Sequence, residues 1–388
     1  MIQFVPGNRI TLLRNGEEYF PALEAAFGEA TREIYLETYI FEHDTTGKRI
    51  AEAMKRAAQR GVTVHLLLDG FGAKNFPPAV MDDLRANGVQ VLYYRPERSP
   101  WRLRRYRLRR MHRKIAVVDT KIAFVGGINI IDDMDTPGHT PPRYDYAVAV
   151  EGPLLAEIHA AVSHLWGLVA WSQLQRRRSR RLRRPLIVPP AGDMRSAFVI
   201  RDNIRHRRDI EEAYLDAIEN AKEEIIVACA YFLPGLNFRH ALIRAAQRGV
   251  RVILLLQGRV EYLLLHFATR ALYGTLLDAG VEIYEYHKSF MHAKVAVVDG
   301  RWATVGSSNI DPFSLLLSRE ANVVVDDPTF AAELQSSLEW SMHEGARVVT
   351  AERWKHQPLH KRFLSWLSYG GVRFLMGMAG YGRRNNLA

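Results

Sequence analysis

Two kinds of apolar segment alternate along each half of the chain. Stretches with apolar residues at helical spacing predict helices, and short, largely apolar stretches rich in Ile, Val, Leu and aromatic residues predict strands. The predicted helices span 17–30, 47–60, 209–221 and 237–248, and the predicted strands span 33–41, 62–68, 224–232 and 250–256. Helices that alternate with strands favour an α/β fold with a largely parallel sheet and helices on both faces.

The second half of the chain repeats the first. Residues 57–70 read AAQRGVTVHLLLDG, and residues 245–258 read AAQRGVRVILLLQG. This repeat predicts a duplicated structural unit. We therefore expect two α/β sandwich domains related by a pseudo-twofold axis. The expected division is a first domain at 1–174, a basic linker at 175–194, a second domain at 195–350 and an amphipathic tail at 351–388.

The composition is that of an ordinary globular protein with a basic surface. The chain has 388 residues, of which 48% are hydrophobic and 24% charged, and its formal net charge is +11. Its single cysteine excludes a disulfide framework within the chain. Arginine is concentrated in two runs, at 102–113 and 176–184. Such runs favour an anionic partner, although the second also has the composition of a solvated linker.

One polar pattern occurs twice at identical internal spacing: His-x-Lys-x4-Asp-x6-Gly-(Gly/Ser)-x-Asn. Its members are His112, Lys114, Asp119, Gly127 and Asn129 in the first half, and His292, Lys294, Asp299, Ser307 and Asn309 in the second. Because alternate residues of a strand project to one face, the histidine and lysine of each copy share a face. A pseudo-twofold axis would bring both copies around one phosphodiester. Taken singly, each lysine reads as a surface charge and each histidine as a strand cap.

The residue types suit attack on a phosphodiester. The two lysines offset the charge of a pentacovalent transition state, and asparagine amides donate hydrogen bonds to the same oxygens. One histidine attacks phosphorus while the other protonates the leaving oxygen, and these roles reverse in the second step. The predicted phosphate-binding residues are Asn129, Asn309, Gly127 and Ser307.

The double motif resembles the phospholipase D superfamily, and within it the bacterial cardiolipin synthases of type B. The segments that carry the resemblance are 110–114, 124–129, 145–148, 151–153, 230–235 and 303–312. The resemblance implies two phospholipase D-like domains with the active site at their interface. It also implies phosphatidyl transfer between two phosphatidylglycerol molecules, which gives cardiolipin and glycerol through a phosphohistidine. By the same resemblance His112 is the nucleophile and His292 the acid.

Each histidine needs an acceptor behind its ring to fix its tautomer. Asp145 and Glu320 are predicted for this task, because each follows the histidine of its own half at a place that resembles the family's orienting carboxylates. The alternative is an ion pair with a neighbouring arginine, Arg143 or Arg319. Asp119 and Asp299 are counted with the catalytic motif, yet their parity is opposite to that of the histidines, which predicts a structural role at the strand end.

Two other activities and a binding role remain open. The same residues would hydrolyse phosphatidyl lipids if water took the second step, and the superfamily also contains nucleases, whose substrates arginine runs would bind. The third alternative is a non-catalytic lipid or nucleic-acid binding module, which the complete motifs in both halves disfavour.

The expected partners are an anionic phospholipid, phosphatidylglycerol, and a membrane surface; nucleic acid is disfavoured, and the oligomeric state stays open. No cofactor and no metal are expected. The acidic knot 132–135 could hold a cation, but a solvated loop is favoured. The apolar runs 262–267 and 362–378 are too short to span a bilayer. No signal peptide is visible, so we expect a peripheral protein on the cytoplasmic side of the cell membrane.

Overall fold

The computed structural model describes residues 2–96, 109–134, 136, 140–173, 186–356 and 358–378. Most of the first arginine run, most of the predicted linker and the last residues of the predicted tail lie outside the described residues. The second half begins with a strand at Met194, the last residue of the predicted linker.

Strands and helices alternate through both halves. The first half contains β1 (Val5–Arg14), α1 (Asn15–Glu29), β2 (Glu33–Thr38), α2 (Thr45–Gln59), β3 (Thr63–Asp69), α3 (Pro78–Ala86), β4 (Gln90–Tyr94), β5 (Lys114–Val118), β6 (Ile122–Gly126), β7 (Tyr146–Glu151) and α4 (Leu155–Ser172). The second half contains β8 (Met194–Arg201), α5 (Asp209–Asn220), β9 (Glu224–Cys229), α6 (Leu236–Gln247), β10 (Arg251–Gln257), α7 (Leu263–Arg270), α8 (Tyr273–Asp278), β11 (Glu282–Tyr286), β12 (Lys294–Val298), β13 (Trp302–Gly306), α9 (Pro312–Leu316), β14 (Glu320–Asp326), α10 (Pro328–Gly345) and β15 (Ala346–Val349). The predicted tail contains α11 (Ala351–Lys355) and α12 (Leu359–Met378).

The strands of the described residues form one fifteen-stranded mixed sheet, in the order β15-β11-β10-β9-β12-β13-β14-β8-β1-β7-β6-β5-β2-β3-β4. Parallel pairing is confined to β2-β3-β4 and β9-β10-β11. The prediction of a largely parallel sheet is therefore wrong. The strands that follow each motif are joined by short turns, and strands joined in this way must run antiparallel.

The strand order repeats the internal duplication. Counted outward from the junction of β1 and β8, which pair antiparallel, each half places equivalent strands in the same order. The extra strand β15 extends the second half at its edge. The fold is therefore two α/β units of the same topology, as the repeat predicts.

Two predicted strands end earlier than their apolar pattern. The strand predicted to Phe41 ends at Thr38, and the one predicted to Phe232 ends at Cys229. The apolar residues beyond these ends leave the sheet but stay buried, because Phe41 and Phe232 each form an isolated bridge with the segment after an asparagine of the motif, at Ile130 and Ile310. Strand periodicity cannot distinguish residues that belong to the sheet from buried apolar residues that follow the end of the strand.

The two halves share a hydrophobic core. One cluster of buried side chains combines residues of the first half, such as Ile115 and Val148, with residues of the second, such as Val295 and Leu338. Helices α4 and α10 both contribute to this cluster. Close packing across the interface fixes the position of one motif relative to the other.

Candidate active site

The two motifs occupy equivalent places in the sheet. Lys114 and Lys294 are the first residues of β5 and β12, and each histidine lies two residues earlier. Both lysines are buried, with Lys294 only 1% exposed. The ammonium group of Lys114 donates to the carbonyl oxygen of His112 at 2.6 Å, and Lys294 makes the same contact with the carbonyl of His292.

Each histidine is held by a carboxylate from the opposite half. The Nδ1 atom of His112 lies 3.0 Å from Glu320 Oε1, and the Nδ1 atom of His292 lies 2.7 Å from Asp145 Oδ2. Asp145 and Glu320 thus contact the histidines, but the expected pairing within each half is wrong. The alternative of exposed acids paired with Arg143 or Arg319 is also wrong, because both carboxylates are buried.

Backbone hydrogen bonds between the halves explain why each histidine contacts the carboxylate of the other half. The amide of His112 donates to the carbonyl of Arg319, the residue before Glu320, at 2.9 Å. The amide of His292 donates in the same way to the carbonyl of Tyr144, the residue before Asp145, at 2.7 Å. Each histidine segment therefore lies beside the carboxylate segment of the other half.

The carboxylates determine which ring nitrogen faces outward. A carboxylate can only accept, so Nδ1 of each histidine carries the proton and donates it to Glu320 or Asp145. Lys294 Nζ also lies 2.8 Å from His292 Nδ1, but a protonated Nδ1 cannot accept, so we assign the lysine bond to the His292 carbonyl instead. Nε2 of each imidazole is then unprotonated and available to attack or to accept a proton.

Burial and like charge disfavour protonation of the histidines and of Lys114. Burial, with the nearby Lys294 ammonium, lowers the pKa of His292 to about 3, against the opposing effect of Asp145. Burial also lowers the pKa of His112, and it lowers that of Lys114 to about 7. Burial thus destabilises the positively charged forms of these side chains, and a bound anion would stabilise them.

The two motif asparagines line the same cavity as the histidines. The side-chain oxygen of Asn129 accepts from the amide of Ile40 at 3.1 Å, which orients its NH2 group. Asn309 is 3% exposed, and its side-chain oxygen has no hydrogen-bond partner among the described residues. Both positions suit the predicted contact with phosphate oxygens.

Gly127 and Ser307 lie behind the carboxylates rather than at the cavity. Ser307 is fully buried, and its hydroxyl donates to Glu320 Oε2 at 2.6 Å. A Cβ atom at Gly127 would collide with the carboxylate of Asp145. Their expected contact with phosphate is therefore corrected: the serine holds one orienting carboxylate in place, and the glycine leaves room for the other.

Asp119 and Asp299 lie at the far ends of β5 and β12. Asp119 accepts from the amides of Thr31, Arg32 and Glu33 at 2.7 to 2.8 Å. Asp299 accepts from the equivalent amides at 222–224. Each aspartate lies five positions after its lysine, about 16 Å along a strand at the usual rise. They connect the first helix of each half to its next strand, so their inclusion with the catalytic residues is corrected in favour of the structural role.

One cavity of about 800 Å³ contains both histidines. Its polar end combines the two imidazoles with Asn129 and Asn309. Its remaining wall is mostly apolar and aromatic, with side chains from both halves and from the predicted tail: Tyr39, Ile40, Phe71, Ile128, Ile131, Tyr231, Tyr262, Leu265, Phe290, Phe313 and Leu375. A polar end joined to a largely apolar wall suits an amphiphile.

Further cavity residues escaped the sequence reasoning. The Tyr39 ring packs edge-on against His112 with centroids 4.8 Å apart, and the Arg110 guanidinium lies over Phe71 at 4.5 Å. Arg143 also lines the cavity. Arg110 and Arg143 each lie two residues before a site residue, His112 or Asp145. In a strand this spacing places both side chains on one face, so the sequence could have indicated that the arginines lie at the site.

The expectation of a solvated loop at the acidic segment 132–135 is wrong for Asp133. Asp133 is buried, lines the cavity and accepts from the amide of Gly16; burial raises its pKa to about 7. Among the described residues, no group of three or more His, Cys, Asp and Glu side chains is placed to hold a metal ion.

Comparisons with known proteins agree on the family. The family described as "Cardiolipin synthase, PLD-like domain" matches residues 23–163 and 214–342. Cardiolipin synthase B of Escherichia coli strain K12 is 42% identical over 335 residues, 86% of this chain and 80% of that protein. Cardiolipin synthase A of Erwinia tasmaniensis is 31% identical over 382 residues, 94% of this chain and 75% of that protein.

The solved structures support the fold. Phosphatidylserine synthase of Haemophilus influenzae Rd KW20 superposes with a TM-score of 0.73 at 13% identity, covering 98% of this chain and 97% of that chain. At this identity the likeness concerns the fold alone. The family model that matches segments in both halves, and the relative that is 42% identical over most of the chain, show that the chain belongs to the cardiolipin synthase family of proteins with two phospholipase D-like domains.

Proposed function

We propose that this protein is a phosphatidyltransferase that makes cardiolipin and glycerol from two molecules of phosphatidylglycerol. One observation carries the proposal: two histidines, each bonded to a carboxylate of the other half and each next to a buried lysine, line one cavity. The names of the relatives support cardiolipin as the product, and the apolar wall of the cavity supports a lipid substrate.

In the first step, His112 Nε2 attacks the phosphorus of one phosphatidylglycerol. The phosphorus–oxygen bond to the glycerol headgroup breaks, and that oxygen takes a proton from Nε2 of His292. The products are phosphatidyl-His112 and free glycerol. Burial keeps His292 neutral, so the negative charge of the entering phosphate must raise its pKa until Nε2 takes up a proton from solvent.

The buried lysines and asparagines stabilise the transition state. Lys114 and Lys294 lie directly behind the histidines, where their charges oppose the charge that builds up on the equatorial oxygens. The amides of Asn129 and Asn309 donate to the same oxygens. Preorganised donors of this kind contribute about 3 to 4 kcal/mol each.

In the second step, a second phosphatidylglycerol takes the place of the released glycerol. Its terminal hydroxyl gives its proton to His292 Nε2, and its oxygen attacks the phosphorus. The phosphorus–nitrogen bond to His112 breaks, and cardiolipin leaves. The His112 imidazole and the protonated His292 are restored, so the cycle balances without an added cofactor.

The mouth of the cavity supports contact with a membrane surface. Helix α12 packs against α7, and both helices contribute cavity residues, Leu375 and Leu265. The outer faces of the two helices expose apolar side chains: Leu263, Leu264, Phe363, Leu364, Trp366, Leu367 and Phe374. Such a face suits burial in the lipid headgroup region. Within the described residues, no helix is both long and apolar enough to cross a bilayer.

The test is product analysis with purified protein. Phosphatidylglycerol vesicles or single-stranded DNA are incubated with the protein and a metal chelator, and products are identified by mass spectrometry. Cardiolipin and free glycerol in equal amounts are expected, and they should disappear in His112→Ala and His292→Ala. Phosphatidic acid as the main lipid product would show that the protein is a hydrolase instead of a transferase. Cleaved DNA with unchanged lipid would show that it is a nuclease.

A further inference from the structure

The cavity is less symmetric than the catalytic residues it contains. Each catalytic residue has a counterpart in the other half, but the walls beside the two histidines differ. Tyr231 takes the place that Ile40 takes in the first half, since both stand one residue before the isolated bridges. Glu261 corresponds to Ala73 by the repeat that aligns 57–70 with 245–258. The wall beside His292 is therefore the more polar one.

An arginine also stands on the His292 side. The Phe290 ring stacks beside the His292 ring with centroids 6.2 Å apart, and the Arg143 guanidinium lies over Phe290 at 5.3 Å. The position equivalent to Arg143, two residues before the carboxylate of the other half, is Ser318. The residue at this position of the repeat is therefore an arginine near His292, whereas the equivalent residue on the His112 side is an uncharged serine.

Asp133 and Glu261 bring two further carboxyl groups to the cavity. The amide of Arg143 donates to the carbonyl of Asp133 at 3.0 Å, and the carboxyl of Asp133 faces the cavity. On the other side of His292, Tyr231 donates to the carboxyl of Glu261, and the rings of Tyr231 and His292 lie 6.5 Å apart. Asp133, Glu261 and Arg143 therefore line one cavity together with His292.

We propose that Arg143 binds the unreacted phosphate of the acceptor lipid, with Asp133 and Glu261 accepting the hydroxyl groups of the glycerol. This inference rests on the proposed function. In that mechanism the leaving glycerol and the attacking hydroxyl both lie on the His292 side, because an in-line displacement places them opposite His112. The acceptor carries its own phosphate one glycerol unit away from the attacking oxygen. A guanidinium binds such a phosphate through two parallel hydrogen bonds.

The proposal explains selection of the acceptor. Water and free glycerol reach His292 without a phosphate, so Arg143 contributes nothing to their attack. A second phosphatidylglycerol gains the contact with Arg143, and its seated hydroxyl is then favoured over water. Arg143 would thus be a specificity-determining residue, separate from the groups that act on the phosphorus.

The first test uses the unaltered protein and soluble acceptors. Phosphatidylglycerol vesicles are supplied with either deuterated glycerol or glycerol 3-phosphate, and the phosphatidyl products are measured by mass spectrometry. We expect glycerol 3-phosphate to be used at least tenfold more efficiently than glycerol. Equal use of the two acceptors, or a preference for glycerol, overturns the proposal.

The second test compares Arg143→Gln with Arg110→Gln, an arginine on the His112 side of the same cavity. In each variant the rate of cardiolipin formation is divided by the rate of exchange with deuterated glycerol. We expect this ratio to fall at least tenfold in Arg143→Gln, to fall less in Arg143→Lys, and to stay near its original value in Arg110→Gln. An unchanged ratio in Arg143→Gln, or an equal fall in both glutamine variants, overturns the proposal. Failure of the proposed function is a different result: the unaltered protein would form neither cardiolipin nor exchanged phosphatidylglycerol.

Discussion

Asp145→Asn is expected to disable His292 and to spare His112, although Asp145 belongs to the same half as His112. The reason is the exchange of carboxylates between the halves, with Asp145 Oδ2 2.7 Å from His292 Nδ1. Asparagine keeps the size of the side chain but loses its charge, and its amide can hold the wrong tautomer of the imidazole. Glu320→Gln is the matched change for His112.

The loss is large because the contact is buried and charged. Asp145 is 5% exposed, and although burial raises its pKa, Lys294 and His292 lower it below its usual value, so the carboxylate is ionised. A hydrogen bond to a charged group is worth about 1.5 to 3 kcal/mol, and a wrong tautomer adds to this. A total of about 3 to 4 kcal/mol corresponds to a rate about 10²- to 10³-fold lower. The same change in serine protease triads costs about 10⁴-fold.

The assay separates the two histidines through the leaving group. Phosphatidylglycerol needs a proton on its leaving glycerol, whereas a p-nitrophenyl ester of phosphatidic acid releases a phenolate that needs none. Asp145→Asn should therefore lose cardiolipin formation but keep a rapid initial release of nitrophenol, one equivalent per site. Glu320→Gln should lose both, because its nucleophile is misdirected. Thermal unfolding of each variant provides the control for folding.

The opposite result would refute the reasoning. If Asp145→Asn loses the rapid release and Glu320→Gln keeps it, either the carboxylates act within their own halves or His292 is the nucleophile. Trapping the phosphorylated histidine and locating it by peptide mass spectrometry distinguishes these two explanations.

Four further predictions test other parts of the structure. Binding of sulfate, an anion that does not itself titrate near neutral pH, should take up protons at pH 7, because burial lowers the pKa of His292 to about 3 and that of Lys114 to about 7, and an anion raises both; affinity should fall as the pH rises through 7. Calorimetry in buffers of different ionisation heat measures this, and proton release would contradict it. The same coupling predicts a bell-shaped pH dependence of cardiolipin formation. Asp119→Ala should lower the free energy of unfolding by about 2 to 4 kcal/mol, because three amides lose their acceptor; urea unfolding measures it, and a loss of activity without a loss of stability would restore a catalytic role. Phe363→Glu combined with Trp366→Glu should weaken binding to phosphatidylglycerol vesicles at least tenfold, since these side chains are 65% and 73% exposed on α12, the helix whose Leu375 lines the cavity. Trp171→Glu, at an exposed tryptophan on α4, is the control in a sedimentation assay, and equal effects would exclude a specific membrane face.

The sequence by itself determined the repeat, the order of elements and the composition of the site. Identical spacing in two segments identified both histidines and both lysines. The period of two of a strand then placed the histidine and the lysine of each motif on one face. Opposite parity was also enough to predict the structural place of Asp119 and Asp299. These conclusions needed only local periodicity and the comparison of one half with the other.

Only the tertiary structure decided how the halves complete each other. The spacing from His112 to Asp145 gives no information about contacts across an interface, and the backbone bonds of His112 to Arg319 and of His292 to Tyr144 made the exchange. The place of Ser307 behind Glu320 and the polar residues that line the cavity with His292 were equally invisible in the sequence. Each depends on segments far apart in the chain, whose approach is fixed by packing of the shared core.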